Sequence, residues 1–220
     1  MSSMMETLLG FAGGLALFIY GMNQMGDGLK KVAGEKMRKI LEVLTTNPLM
    51  GVFVGTVATA IMQSSSATTV MVVGFVSAQL MTLPQAISVI IGANIGTTVT
   101  AQIIAFNIGD YAYLFAAVGF FLSFASKKRV VKNIGQTVFS FGVLFIGLNI
   151  MSAAMKPLAS NPLFTNILVR IKNRPILGLL TGTVVTLIAQ SSSATIGVLQ
   201  GLASTPMEGG AALISLQQAI

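Results

Sequence analysis

The sequence contains no cysteine and no histidine, and only 9% of its 220 residues are charged. The missing cysteines exclude disulfides and thiol chemistry, and the missing histidines exclude imidazole ligands and the most common catalytic base. Soluble domains average about 25% charged residues, so this chain has too few of them to cover a globular surface. Its 54% hydrophobic residues and mean hydropathy of +0.84 therefore predict a protein embedded in a lipid bilayer.

The net charge of +7 does not indicate a nucleic-acid partner, because the basic residues lie in loops that flank apolar segments. One predicted side of the membrane carries nine of them: Lys30, Lys31, Lys36, Arg38, Lys39, Lys127, Lys128, Arg129 and Lys132. The opposite side carries four: Lys156, Arg170, Lys172 and Arg174. Cytoplasmic loops are enriched in Lys and Arg. We therefore expect a multi-pass protein of the cell (plasma or inner) membrane, with its N-terminus outside.

Two polar segments interrupt the apolar sequence, and they are copies of each other. We call residues 63–69, Gln-Ser-Ser-Ser-Ala-Thr-Thr, the first serine island, and residues 190–196, Gln-Ser-Ser-Ser-Ala-Thr-Ile, the second serine island. The match continues upstream at the same offset of 127 residues, pairing Pro48, Gly51, Gly55, Thr56, Val57, Thr59 and Ile61 with Pro175, Gly178, Gly182, Thr183, Val184, Thr186 and Ile188. So many identities in one register indicate an internal repeat, and repeated halves with interrupted hydrophobic segments are typical of secondary transporters.

Repeat 1 is predicted at 1–133 and repeat 2 at 134–220. In repeat 1 we expect a spanning helix at 6–26, an interfacial basic helix at 27–46, a hairpin at 48–81, a broken helix at 85–106 and a helix at 111–126. In repeat 2 we expect a helix at 134–155, a loop or surface helix at 156–174 and a hairpin at 175–205. Gln218 to Ile220 then match Gln85 to Ile87, so repeat 2 is predicted to be truncated before its own broken helix.

Each arm of the first hairpin has about 15 residues, or about 22 Å of helix, whereas a full crossing needs about 20 residues. The short arms predict a re-entrant hairpin with the island at its tip. One repeat then crosses the membrane an odd number of times, so the second repeat is predicted to be inverted. The fold class is thus an all-α membrane protein, an inverted-repeat transporter with two re-entrant hairpins and unwound helices.

The islands favour binding over catalysis. No general base is available near the serines, and neither island has a Ser-x-x-Lys or Gly-x-Ser-x-Gly arrangement, so we do not expect an enzyme. Hydroxyl and carbonyl oxygens suit a hard cation, and the absence of carboxylates favours Na⁺ over a divalent ion. The helix N-termini expected near Ser66 and Ser193 suit an oxyanion. Small polar residues that only allow close helix packing are the alternative interpretation.

A further polar interruption, Gly92 to Thr98, predicts an unwound stretch in the broken helix, with Asn94, Thr97 and Thr98 as additional ligands. A glycine-hinged packing site is the alternative there. Asn23 and Asn149 occupy matching places in the first helices of the two repeats, where they would line a cavity or make structural hydrogen bonds.

The doubled Gln-Ser-Ser-Ser with Ala-Thr after it, together with Gly-Ala-Asn-Ile-Gly-Thr-Thr after the first copy, resembles the type II sodium–phosphate cotransporter family, above all its bacterial members. The resemblance implies sodium-coupled symport of inorganic phosphate by alternating access, with Na⁺ and phosphate bound between the two hairpin tips. Na⁺ is then the co-transported ion, and no organic cofactor is expected. The implied substrate and sodium site comprises Gln63, Ser64, Ser65, Ser66, Thr68, Gln190, Ser191, Ser192, Ser193, Thr195, Asn94, Thr97 and Thr98. The implied Na⁺ ligands among them are Gln63, Ser64, Gln190, Ser191 and Asn94.

Bacterial members of that family often carry a PhoU-like helical domain, so a PhoU-like domain or protein is an implied partner. A homodimer that completes the second repeat is another. Two alternative functions remain open at this point: a membrane module that senses phosphate without transporting it, and a transporter of another small oxyanion such as sulfate.

Overall fold

The computed structural model describes residues 3–43, 47–105, 108–159, 175–189 and 191–203, and every regular element in these ranges is helical. The helices are α1 (Ser3–Val43), α2 (Pro48–Met62), α3 (Ser65–Ser77), α4 (Leu83–Ala105), α5 (Ala112–Ala125), α6 (Arg129–Ala159), α7 (Pro175–Ala189) and α8 (Ser192–Ala203), with a 3₁₀ turn at Gly109–Tyr111 before α5. The all-helical prediction is thereby confirmed. The predicted loop at 156–174 and the end of the second hairpin lie mainly outside the described residues.

Within the described ranges, three helical stretches are long and apolar enough to cross a membrane: Met4–Ala33, Leu83–Ala105 and Arg129–Pro157. The arms of the two predicted hairpins are shorter, at 15 and 13 residues for α2 and α3 and 15 and 12 for α7 and α8. Large apolar side chains are exposed along the helices of the protein; Phe124 on α5, for example, is 81% exposed. Such a surface is stable against lipid, so the chain is a membrane protein. Re-entry of the hairpins and inversion of the repeats stay predictions.

The chain divides into two compact units, each with its own core. One unit contains residues 23–106 and 115–140. Its core consists of Val54, Ala58, Met62, Val72, Phe75, Met81, Ala86 and Val89. The other unit contains the described residues within 1–22, 107–114 and 141–220. Its fully buried side chains include Phe18, Leu144, Phe145 and Met151.

Glycines bring α2 and α4 into backbone contact in the first of these units. Each of these helices carries two buried glycines one helical turn apart: Gly51 and Gly55 on α2, and Gly92 and Gly96 on α4. A β-carbon on Gly96 would lie only 2.5 Å from the Thr56 carbonyl oxygen. The Thr56 hydroxyl donates to the Gly92 carbonyl oxygen at 3.1 Å, which links the two helices directly. Small residues spaced in this way allow the close helix packing on which membrane proteins depend.

Two predicted helix breaks are wrong, and the reason is the same in both places. Helix α1 runs without a break from Ser3 to Val43, so the predicted boundary between the helices at 6–26 and 27–46 does not exist. A β-carbon on Gly26 would lie 3.2 Å from Gln63 Cβ, so this glycine permits contact between helices rather than ending one. Helix α4 is likewise continuous, and the predicted unwinding at 92–98 is wrong. The glycines there make room for α2.

Helix α6 begins at Arg129, five residues before the predicted start of repeat 2 at Ile134. Arg129 and Lys132 therefore lie in its first turn, and only Lys127 and Lys128 of the predicted basic loop precede the helix.

Candidate functional site

The first serine island forms the junction between two helices, as the sequence predicts. Helix α2 ends at Met62, and Gln63 follows in the left-handed conformation with φ 52° and ψ 30°. Its backbone N–H donates to the Thr59 carbonyl oxygen at 2.7 Å. A left-handed conformation is unfavourable for a residue with a β-carbon and persists where the surroundings impose it, often at functional sites. This single residue turns the chain out of α2.

Ser64 then starts the next helix. Its backbone is extended, and its hydroxyl oxygen accepts a hydrogen bond from the N–H of Ala67 at 3.2 Å, as an N-cap does. Its carbonyl oxygen accepts from the N–H of Thr68, also at 3.2 Å. The N–H groups of Ser65 and Ser66 belong to the first turn of α3, where the helix itself provides no acceptors. They lie at the positive end of the helix dipole and are therefore suited to bind an anion.

The Gln63 side chain is held by two partners. Its amide nitrogen donates to the Ala60 carbonyl oxygen, and its amide oxygen accepts from the Thr100 hydroxyl on α4 at 2.7 Å. The carbonyl groups of the last turn of α2 carry the partial negative charge of a helix C-terminus. The island thus joins a helix end that attracts cations to a helix start that attracts anions, with two residues between them.

A pair of buried threonines joins the helices behind the island. The Thr59 hydroxyl donates to the Thr68 hydroxyl at 3.0 Å, and the Thr68 hydroxyl donates to the Ser64 carbonyl oxygen at 3.2 Å. Thr59 is 1% exposed and Thr68 is fully buried. Because Thr68 is fully buried behind the helix start, the structure gives this predicted site residue a supporting position rather than an exposed one.

The second serine island repeats this local geometry. The Ser191 hydroxyl oxygen accepts from the N–H of Ala194 at 3.2 Å, and its carbonyl oxygen accepts from the N–H of Thr195 at 3.2 Å. The hydroxyls of Thr186 and Thr195 are 3.0 Å apart, like those of Thr59 and Thr68. Ser192 and Ser193 are the first residues of α8 and correspond to Ser65 and Ser66. Gln190 lies outside the described residues.

The predicted ligands on α4 are placed differently. Asn94 and Thr98 are exposed, and Thr97 is half-buried. The hydroxyls of Thr97 and Thr98 donate to carbonyl oxygens of their own helix, Ala93 at 3.2 Å and Ile95 at 2.7 Å. In the described part of the chain, no hydrogen bond joins these three residues to a serine island.

The other two polar residues singled out in the sequence also differ from each other. The Asn149 side chain donates to the Gly109 carbonyl oxygen at 3.1 Å, which is a structural hydrogen bond. Asn23 is exposed.

Two residues of the first island's surroundings, Thr59 and Thr100, were not predicted. Thr100 follows Gly92 and Gly96 at intervals of four, so it lies on the face of α4 that packs against α2. That spacing was the available signal in the sequence. Thr59 and Thr186 are identical at the repeat offset of 127 residues, which marks them as part of the repeated unit.

Apolar helices interrupted by two equivalent polar junctions define a helical membrane protein with a duplicated serine-capped element. The family comparison gives this class a name: the model described as Na⁺/Pi-cotransporter matches residues 17–153 and 150–220. The chain belongs to the Na⁺/Pi-cotransporter family. No solved structure is detectably similar to it.

Three similar proteins illustrate the range of the family. The chain is 32% identical over 195 residues to "Uncharacterized protein YqeW" of Bacillus subtilis, covering 89% of this chain and 63% of that protein. It is 26% identical over 192 residues to "Putative inorganic phosphate export protein YjbB" of Escherichia coli K12, covering 87% of this chain and 35% of that protein. It is 37% identical over 106 residues to human "Sodium-dependent phosphate transport protein 2B", covering 47% of this chain and 15% of that protein. The chain thus spans less than two thirds of the length of each of these relatives.

Proposed function

We propose that this protein carries inorganic phosphate across the membrane together with Na⁺, and that the two serine islands bind both. The observation that carries the proposal is the duplicated junction: each island ends with a serine-capped helix start whose first N–H groups have no acceptor in their own helix. Such a helix start binds a tetrahedral oxyanion without a charged side chain. Membership of a family named for Na⁺ and phosphate, and a human relative named for sodium-dependent phosphate transport, support the same ligands.

The chemistry divides between the two sides of each junction. We assign phosphate to the N–H and hydroxyl groups of Ser65 and Ser66, and to those of Ser192 and Ser193. We assign Na⁺ to oxygen atoms at the helix end, with ligands from Gln63 and Ser64 and from their counterparts Gln190 and Ser191. Asn94 remains a proposed additional Na⁺ ligand, which its exposed position on α4 permits. Bound Na⁺ beside the anion would lower the cost of removing both from water.

Transport in vesicles tests the proposal. We expect phosphate uptake that depends on Na⁺, and we expect the double variant Ser65→Ala, Ser192→Ala to lose it, because each substitution removes a hydroxyl from a helix start. Ser77→Ala is the matched control, since it removes an exposed hydroxyl from the other end of α3. Uptake by the double variant equal to that of the Ser77→Ala control would exclude the serine islands as the site.

The direction of transport needs its own measurement, because the YjbB relatives are named for export and the human relative for sodium dependence. A coupled transporter moves its substrate in either direction, as set by the combined gradients. We therefore expect phosphate loaded into vesicles to leave faster when Na⁺ is high inside than when it is high outside. Phosphate flux that ignores the Na⁺ gradient in both directions would refute sodium coupling while leaving phosphate transport intact.

A further inference from the structure

Thr100 stands apart from the other threonines of α4. The hydroxyls of Thr97 and Thr98 donate to carbonyl oxygens of α4 itself, which is the usual arrangement for threonine in a helix. The Thr100 hydroxyl instead donates to the amide oxygen of Gln63, 37 residues earlier in the sequence, at 2.7 Å. Thr100 is 3% exposed and Gln63 is half-buried, so the donor side of this hydrogen bond is shielded from solvent. Because this buried hydroxyl donates to a residue of the first serine island, its role is expected at the island.

Two hydrogen bonds hold the Gln63 amide in one orientation. Ala60 offers only a carbonyl oxygen, so it selects the nitrogen end of the amide. The Thr100 hydroxyl, as donor, meets the oxygen end. Reversing the amide would turn its oxygen toward the Ala60 carbonyl oxygen, which is repulsive, so Ala60 selects the orientation. The Thr100 hydroxyl then donates to the amide oxygen and holds it in place. One N–H and one lone pair of the amide then remain for a ligand.

The position of Thr100 is itself fixed by the contact between helices. A β-carbon on Gly96, one turn before Thr100, would lie 2.5 Å from the Thr56 oxygen and 2.8 Å from Thr59 Cβ. The backbones of α2 and α4 are therefore in contact next to this hydrogen bond, and Thr100 has little freedom to move relative to Gln63.

We propose that Thr100 is a positioning residue for Na⁺ binding: its hydroxyl holds the Gln63 amide oxygen in the orientation that coordinates the ion. This inference rests on the proposed function, in which Gln63 is a Na⁺ ligand. Thr100 does not itself touch Na⁺. It acts through the orientation of Gln63, so losing it should weaken Na⁺ binding without removing any ligand atom.

Phosphate binding to the purified full chain, measured over a range of Na⁺ concentrations, tests this role. Thr100→Val keeps the side-chain shape but removes the donor, and one hydrogen bond of ordinary strength corresponds to about a fivefold change. We expect the Na⁺ concentration for half-maximal binding to rise by about fivefold, with maximal binding unchanged. Thr100→Ser restores the hydroxyl and should restore the wild-type value. Ser88→Ala is the matched control, because it removes another buried hydroxyl from α4, one bonded only to the Gln85 carbonyl oxygen.

Combining Thr100→Val with Gln63→Ala separates positioning from a general structural effect. If Thr100 acts only through Gln63, adding Thr100→Val to Gln63→Ala should leave the Na⁺ dependence unchanged. A further fivefold loss in the double variant would overturn the proposal, as would a Thr100→Val protein with wild-type Na⁺ dependence. If Gln63→Ala alone leaves Na⁺ dependence unchanged, the assignment of Gln63 as a Na⁺ ligand fails first, and the role of Thr100 fails with it.

Discussion

Replacing Gly96 by alanine should disturb the first serine island from a distance, and the structure gives the size of the effect. The new β-carbon would lie 2.5 Å from the Thr56 carbonyl oxygen, whereas ordinary contacts of a β-carbon begin at 3.4 Å. The helices α2 and α4 would have to separate by the difference, about 0.9 Å. An equal increase along the hydrogen bond from Thr100 to Gln63, now 2.7 Å, would give about 3.6 Å, which is too long for a hydrogen bond.

Overpacking of this kind costs about 1–3 kcal/mol, which corresponds to a decrease in Tm of about 3–9 °C for a protein of this size. We therefore expect Gly96→Ala to lower both thermal stability in detergent and Na⁺-dependent phosphate binding. The control is Gly74→Ala on α3, where the structure describes no atom within 4 Å of an added β-carbon. A Gly96→Ala protein as stable as the Gly74→Ala protein would refute the close packing of α2 on α4.

Two more predictions concern a helix start and a second glycine contact. Ser64→Ala should lower the free energy of unfolding by about 1 kcal/mol, because it removes the N-cap of α3. Ser64→Asp should keep the cap and the stability but lose phosphate binding, because a carboxylate repels the anion. Unfolding and phosphate binding measured on both variants separate the two effects, and phosphate binding by Ser64→Asp would contradict the site. Gly14→Ala should lower Tm, because a β-carbon there would lie 2.5 Å from the Met151 nitrogen. Gly13→Ala should leave Tm unchanged, because no described atom lies within 4 Å of its β-carbon. Equal Tm values for the two variants would show that α1 and α6 do not pack through Gly14.

The sequence predicted the helical junctions well because local chemistry determines them. Asn47 caps α2 through its side chain, Pro48 occupies the first turn, and Ser64 caps α3. These signals need no knowledge of the rest of the fold. The repeat keeps two of them, because Pro175 begins α7 and Ser191 caps α8. The start of α3 near Ser66 was predicted from the polar interruption at residues 63–69, and the Ser64 cap is the physical reason why the helix begins there.

The two wrong helix breaks have a physical explanation. The boundary after residue 26 was predicted because basic residues follow it, and the break at 92–98 because glycine and polar residues interrupt the apolar sequence there. In a membrane protein, glycine also marks where two backbones approach, and only the tertiary arrangement shows which role applies. The same limit explains why Thr100 was not predicted. Its hydrogen bond to Gln63 depends on the register of α4 against α2, and the only local signal of that register is the four-residue spacing from Gly92 and Gly96 to Thr100.

The most direct test of the central claim is equilibrium binding of phosphate to the purified protein, titrated with Na⁺ and, separately, with K⁺ or choline. The proposed function predicts phosphate binding that appears with Na⁺, is absent with K⁺ or choline, and is lost in the double variant Ser65→Ala, Ser192→Ala. Phosphate binding of equal strength in all three cations, or binding that survives in the double variant, would contradict a sodium-coupled site at the serine islands.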